Sequence, residues 1–233
     1  MPEVDVTKLP DLSDLTGPLA SRVYTAIKSA ILDLDFLPGD LIRKSEVCDH
    51  LGLSRSPVSE ALAKLSNEGL VDIVPQSGTR VSRLSMASIR EDSFLREALE
   101  VAAVRHAALH RSQETLARLV RNLEMQKLLI NDVDKDDFIR TDVAFHEIIM
   151  ATTQIKRLPA TIQNVSRHLD RARLLPLPEP GRLEETVNEH VEILEAIREQ
   201  DAVAAQDAMR RHVRQLVVRL GPLETERSDL FST

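Results

Sequence analysis

From residue 51 to residue 65 the apolar positions return at helical spacing: Val58, Ala61, Leu62 and Leu65 occupy i, i+3, i+4 and i+7 and define one buried face. Arg55, Ser56, Ser59 and Lys64 are left to project outward. A shorter helix precedes, with Val47, Cys48 and Leu51 turned inward. Leu51-Gly52-Leu53 separates the two, since glycine takes the left-handed conformation that ends a helix without a Cβ penalty. Ser54 or Ser56 then caps the second helix. Pro57 falls within its first turn, where a missing N–H breaks no intrahelical bond. Beyond Gly69, two β-prone runs, 71–74 and 79–82, flank Pro75-Gln76-Ser77-Gly78 and predict a hairpin. This order is the outline of a winged helix-turn-helix, whose second helix lies in a major groove of DNA. Helix spacing alone is equally compatible with two packed helices and no nucleic acid; the hairpin that follows favours DNA.

After Arg83 the pattern becomes purely helical. Six helices are predicted, over 86–110, 113–130, 136–153, 159–175, 182–200 and 202–220. Stop signals lie at 131–134, at 176–181 and at Gly221-Pro222. Connections this short make neighbouring helices antiparallel. The fold class is therefore mainly α: a winged helix-turn-helix of three helices plus a two-stranded wing, joined to an all-α antiparallel helical bundle. The expected organisation is a mobile leader over 1–17, a DNA-binding domain over 18–83, a helical ligand-binding and dimerisation domain over 84–222, and a frayed tail over 223–233.

Several polar residues stand on faces that should be apolar. Phe138, Asp142, His146 and Ile149 share one stripe of the third bundle helix, which sets a carboxylate and an imidazole side by side at i and i+4. His190 shares its stripe with Val187, Leu194 and Ile197, and His212 shares one with Met209, Leu216 and Leu220. A single histidine on such a stripe is more often a core residue bonded to a backbone carbonyl. Three of them with an aspartate point instead to a divalent cation, which compensates all four groups together. Imidazole-rich ligation with one carboxylate suits Zn, Ni, Fe or Mn. His50, His106, His110 and His168 lack comparable spacing. A metal-dependent hydrolase is the enzymatic alternative. His146-Glu147-Ile148-Ile149-Met150 opens like a metalloprotease helix, but Met150 stands where the second histidine belongs.

Composition narrows the class. The chain of 233 residues is long enough for two modest domains, and seven glycines with no tryptophan tilt it toward helix. A lone cysteine, Cys48, forms no internal disulfide and suits a reduced cytoplasm. No run of 18 apolar residues occurs, which excludes a membrane span. The net charge of −7 opposes binding to a polyanion, yet residues 18–83 carry eight basic and eight acidic side chains. A neutral reading unit on an acidic body implies basic residues gathered on one face and an affinity that falls steeply with salt.

Leu51-Gly52-Leu53-Ser54-Arg55-Ser56-Pro57-Val58-Ser59-Glu60-Ala61-Leu62, followed by Glu68-Gly69-Leu70-Val71 and Gly78-Thr79-Arg80-Val81, resembles the GntR family of bacterial transcription regulators. Two departures stand out. Ser59 replaces an arginine usual in the family's recognition helix, and Arg43 and Lys44 open the preceding helix where a capping serine and an acidic residue are usual. Positive charge at a helix N-terminus is unfavourable by roughly 0.3 to 1 kcal/mol. A DNA phosphate offsets that cost if both are backbone contacts, and a frayed, solvated helix end is the alternative. DNA contacts are expected from Ser54, Arg55, Ser56, Ser59 and Lys64 on the second helix and from Gln76, Ser77, Thr79 and Arg80 in the wing, with Arg43 and Lys44 as the backbone contacts.

Asp142, His146, His190 and His212 also match, position by position, the metal site of the FCD domain that follows the reading head in one large branch of the family. The six-helix count looks more like its VanR-type than its seven-helix FadR-type variant. Leu95-Arg96-Glu97-Ala98-Leu99-Glu100 resembles the segment that places an arginine toward the effector, so Arg96 is the candidate for an effector carboxylate, with an interhelical salt bridge as its other reading. The resemblance implies a homodimeric, cytoplasmic repressor on palindromic double-stranded operator DNA, modulated by a small organic or sugar acid that completes the metal's coordination. A metal-stapled dimer without sensing is the alternative.

Overall fold

The computed structural model describes residues 3–74, 77–130, 135–176 and 180–232. The chain divides into two units, Met1–Met86 together with Pro222–Thr233, and Ala87–Gly221. The predicted stop at 131–134, part of that at 176–181, and Gln76 lie outside the described residues.

In the first unit α1 (Leu19–Leu32) lays Val23, Ala26, Ile27, Ala30 and Ile31 against the inner face of α3 (Arg55–Asn67), formed by Val58, Ala61, Leu62 and Leu65. Between them comes α2 (Lys44–Leu51), with Val47 and Cys48 buried. Gly52 closes α2 at φ 64°, where the Leu53 N–H donates to the Cys48 carbonyl at 2.9 Å. The Tyr24 hydroxyl donates to Glu68 at 2.7 Å, and Lys28 donates to both Tyr24 and Glu68 at 2.8 Å, tying α1 to the end of α3.

The sheet differs from the predicted two-stranded wing. β1 (Leu41–Ile42) joins β2 (Val71–Val74) and β3 (Gly78–Val81) in the order β1-β3-β2, antiparallel, with Thr79 opposite both Ile42 and Ile73. A strand of two residues has no period to read, which is why the pattern missed it. Gly78 sits at φ 95°, and a Cβ there would lie 3.0 Å from Leu41 Cδ1, so the third strand also fixes this glycine.

Both chain ends are corrections. Residues 3–15, within the segment expected to be a mobile leader, pack on this unit. The Val4 N–H donates to the Leu41 carbonyl at 3.1 Å, Val4 and Leu9 are buried, and Asp5 and Asp11 cap the short turns Val6–Lys8 and Leu12–Asp14. At the other end α9 (Ala202–Glu226) runs through Pro222 rather than stopping there, and Leu230 and Phe231 are buried instead of frayed. The Leu84 N–H donates to the Leu230 carbonyl at 2.9 Å, and the Ser232 N–H donates to the Leu84 carbonyl at 2.8 Å. An interior proline costs about 3 kcal/mol. Burying two large apolar side chains returns about 1.5–3 kcal/mol each, enough to offset it.

The second unit is all helical: α4 (Met86–His110), α5 (Gln113–Leu129), α6 (Lys135–Ala151), α7 (Leu158–Leu174), α8 (Arg182–Arg198) and most of α9. Apart from the end of α9, these bounds fall within two residues of those predicted. Phe145, Ile149, Leu119, Ile193, Ile197 and Met209 lie in its core, and α5 packs on both α6 and α8. The chain passes between units at 86/87 and 221/222, in both places within a helix.

Tyr24 is the single tyrosine in a chain without tryptophan, so its fluorescence reports the first unit alone. Truncating Phe231 to alanine is expected to destabilise that unit by about 3 kcal/mol in denaturant unfolding followed by this signal; a change under about 0.5 kcal/mol, the size of an ordinary surface substitution, would remove the tail from its core. Burial raises the Glu68 carboxyl, but its bonds from Lys28 and Tyr24 prevail and hold it below the usual range. Its contribution is present above the unfolded pKa and is lost as pH falls through the folded one. Glu68→Gln should therefore cost about 1 kcal/mol at pH 7 and nothing well below pH 4.

Candidate functional site

Asp142 and His146 stand one turn apart on α6, His190 is on α8 and His212 on α9. One ligand atom from each lies within 4.8 Å of the other three. His212 Nε2 is 3.2 Å from His146 Nε2 and 3.4 Å from His190 Nε2, and His190 Nε2 is 3.6 Å from Asp142 Oδ1. All three histidines are buried, and Phe145 stacks on His190 with ring centroids 4.2 Å apart.

The outer nitrogens explain why the inner ones converge. The Thr141 carbonyl only accepts, so Asn122 Nδ2 donates to it at 2.9 Å and Asn122 Oδ1 is turned to Gln126 Nε2 at 2.8 Å. Gln126 Oε1 then faces His190 Nδ1 at 2.7 Å, which places the proton on Nδ1 and leaves the Nε2 lone pair pointing into the cluster. His212 Nδ1 lies 2.7 Å from Glu189 Oε2. His146 Nδ1 lies 2.6 Å from Glu100 Oε2, a charge contact too poorly aligned to count as a good hydrogen bond. Protons cannot satisfy three such converging nitrogens and a carboxylate at once. A divalent cation can, and the donor set fits it.

Electrostatics agree. Burial, reinforced by its neighbour His212, drives His190 well below its ordinary value, and burial with His146 beside it lowers His212 to about 3. Neutral imidazole is the ligating form. Burial pushes the Asp142 carboxyl upward, but the neighbouring histidines and Arg173 hold it well below the usual range. Glu100 is likewise held low, against burial, by Arg96 and His146. Glu189 is pushed up to about 7 by burial, which Arg182 and Arg219 only partly offset.

Beside the cluster opens a cavity of about 60 Å³, lined by Arg96, Phe138, Asp142, Arg173, Arg182 and His212 among others. That is room for a few waters or a small anion. Arg96 is buried, ion-paired with Glu100, and has its Nη2 3.4 Å from His146 Nε2. Arg96 thus lines the cavity, and its ion pair lies within α4 and not between helices, as the alternative reading had expected. His106 and His110 meet at a tilt of 47°, ring centroids 4.5 Å apart, and neither is among the four clustered residues. Sequence reasoning missed Glu100, Gln126, Glu189, Arg173 and Arg182. Gln126 alone left a signal, a polar residue in register with Leu119 and Leu123 on the buried face of α5.

On the first unit Ser54 holds the N-cap position of α3 without a side-chain cap bond, and Arg55 and Ser56 are exposed at its N-terminus. Ser59 donates back to the Arg55 carbonyl at 2.7 Å. Lys64 lies 3.7 Å from the centre of the Tyr24 ring, and Arg43 is bonded to Glu3 at 2.5 Å. Lys44 and Ser77 are exposed, while Arg80 donates to the Gly39 carbonyl at 3.1 Å. Thr79 is a correction: strand alternation turns it inward, 6% exposed, so it faces the core and not DNA.

Residues 19–81 match the family described as bacterial regulatory proteins, gntR family, and residues 93–215 match the FCD domain. The chain is 31% identical over 217 residues to the HTH-type transcriptional repressor RspR of Escherichia coli K12, covering 93% of this chain and 95% of that protein. It is 27% identical to the HTH-type transcriptional repressor NanR of Cronobacter sakazakii, over 84% and 82% of the two chains. The structure of E. coli McbR/YncC superposes with a TM-score of 0.69 at 20% identity, covering 89% of this chain and 99% of that one. The chain thus belongs to the GntR family of bacterial regulators, with an FCD domain behind its winged helix-turn-helix, and is a transcriptional regulator, not an enzyme.

Proposed function

We propose that the protein is a cytoplasmic, homodimeric repressor that binds an approximately palindromic operator through paired winged helices. A small carboxylate, held at a metal centre formed by Asp142, His146, His190 and His212, modulates it. The convergence of three Nε2 atoms and one carboxylate within 4.8 Å, beside a cavity lined by arginines, carries the sensing half. Repression is the role named for RspR. Among the described residues no helix is long and apolar enough to cross a membrane, consistent with the cytoplasmic reading.

A bound Zn, Ni, Fe or Mn ion supplies a Lewis-acid centre at which a carboxylate replaces water. The chain's own residues do the rest. Gln126, Glu189 and Glu100 orient the three imidazoles from behind. Ligation through His146 Nε2 would engage the lone pair that faces Arg96 Nη2, and Arg96 would then hold an effector carboxylate. Dimerisation is supported by large apolar side chains left exposed on the second unit, Phe94 and Leu128 at 71% and Val218 at 66%.

DNA contact is assigned to Arg55, Ser54, Ser56 and Ser59 on the exposed start of α3, with Lys44, Arg43 and Lys64 to phosphates and Ser77 and Arg80 from the wing. Gln76 belongs to the same assignment on sequence grounds alone.

Arg55→Ala is expected to weaken operator binding by about 1–3 kcal/mol in a salt-matched gel shift; unchanged affinity removes it from the interface. His190→Ala is expected to bring bound metal to background by elemental analysis and to abolish the effector's influence on operator binding. Full metal occupancy in that variant would overturn the ligand assignment.

A further inference from the structure

We infer that the effector is a short dicarboxylate, with one carboxylate taken at the cluster beside Arg96 and the second by Arg173 and Arg182. This rests on the metal-centre reading above.

Three guanidinium groups line one small cavity in which, among the described residues, Asp142 is the acidic side chain. They stand at separate points. Arg96 is beside His146, whereas Arg173 Nη1 is 3.3 Å from Asp142 Oδ2, and Arg182 opens α8, where the free N–H groups of the first turn also favour an anion. Arg182 is the least satisfied. Its side chain is 12% exposed, its Nη1 has no hydrogen bond, and its nearest carboxylates, Glu189 and Glu185, are 3.8 and 4.0 Å away. Burial disfavours its charged form, so an anion brought into the cavity relieves a real cost.

Separated cationic points select a dianion. Arg96 stands beside His146, Arg173 beside Asp142, and Arg182 at the start of α8, all lining one cavity. A monocarboxylate meets one end of this array and a dicarboxylate both. Phe138, Ile139 and Leu216 give the cavity an apolar wall suited to a short carbon chain. A phosphate concentrates its charge at one end and leaves the other cation unmet. An uncharged sugar leaves both.

The test is isothermal titration of metal-replete, full-length protein with malonate, succinate and glutarate, each against its monomethyl ester, and with inorganic phosphate as a further arm. At least one diacid is expected to bind about tenfold or more tightly than its monoester. In Arg182→Gln that ratio should fall below about threefold, with Arg182→Lys intermediate because a lysine keeps the charge and loses the fork. Equal affinities for diacid and monoester, tighter binding of phosphate, or no binding of any acid would each overturn the inference. So would a ratio unchanged in a folded Arg182→Gln protein. Elemental analysis and a repeat after chelation separate this from the parent reading. A diacid preference in protein that holds no metal sinks the metal centre alone, whereas bound metal without the preference sinks only the dicarboxylate.

Discussion

Three imidazoles converge their Nε2 atoms on one point, two of them with the outer nitrogen bonded from behind, and the second unit is built around that constraint. Every one of its six helices contributes a polar group. Arg96 and Glu100 come from α4, Asn122 and Gln126 from α5, Asp142 and His146 from α6, Arg173 from α7, Glu189 and His190 from α8, and His212 from α9. Burying such groups is costly unless each finds its partner, by roughly 1–3 kcal/mol for each one left unpaired. A helix shifted by one residue would break several pairings together. The cluster therefore sets the register of the bundle as well as its chemistry.

How much of this was legible in the sequence depended on whether a feature repeats. Helical faces repeat every three or four residues, so Val58-Ala61-Leu62-Leu65 and the stripes bearing Asp142, His146, His190 and His212 could be read directly, and the structure brings those four together. The chain ends could not. Asp5 and Asp11 cap isolated turns, β1 has two residues, and the anchoring of Phe231 depends on Leu84, far away in sequence. Thr79 went wrong for a related reason: its residue type suits a DNA contact, but the parity of its strand, which decides the face, depends on register with β1 and β2. Arg173 and Arg182 flank a break, where no period assigns a direction.

The DNA-reading unit shows where its basic residues are held before DNA arrives. Arg43 is on Glu3, Lys28 on Glu68, Lys64 over the Tyr24 ring, and Arg80 on a backbone carbonyl. On the proposed assignment of Arg43, Lys64 and Arg80 to DNA, binding would exchange partners rather than add a simple gain. The exposed pairs are weak, about 0–1 kcal/mol, so a phosphate can displace them. The partly buried Lys28–Glu68 pair instead fixes how α1 supports α3. That division of labour keeps α3 supported by a partly buried pair while the basic groups at the edge of the unit hold exposed, exchangeable partners.

Connection between the two units is restricted by covalent structure. The chain crosses at 86/87 within α4 and at 221/222 within α9, and these are the helices that carry Arg96, Glu100 and His212. A helix rises about 1.5 Å per residue and resists bending, so ten residues separate Arg96 from Met86 by roughly 15 Å of stiff rod. On α9 the rod has one weak point. Pro222 lacks the N–H that would bond back to Val218, and the Cβ that Gly221 lacks would meet nothing within 4 Å, so this step tolerates a change of direction. A ligand shifts a conformational equilibrium only through contacts that differ between the two states. On the proposed effector assignment Arg96 would be such a contact, its Nη2 standing 3.4 Å from His146 Nε2 at the mouth of the metal cluster. Arg96 stands on α4, whose first residue, Met86, is where the N-terminal segment of the first unit ends.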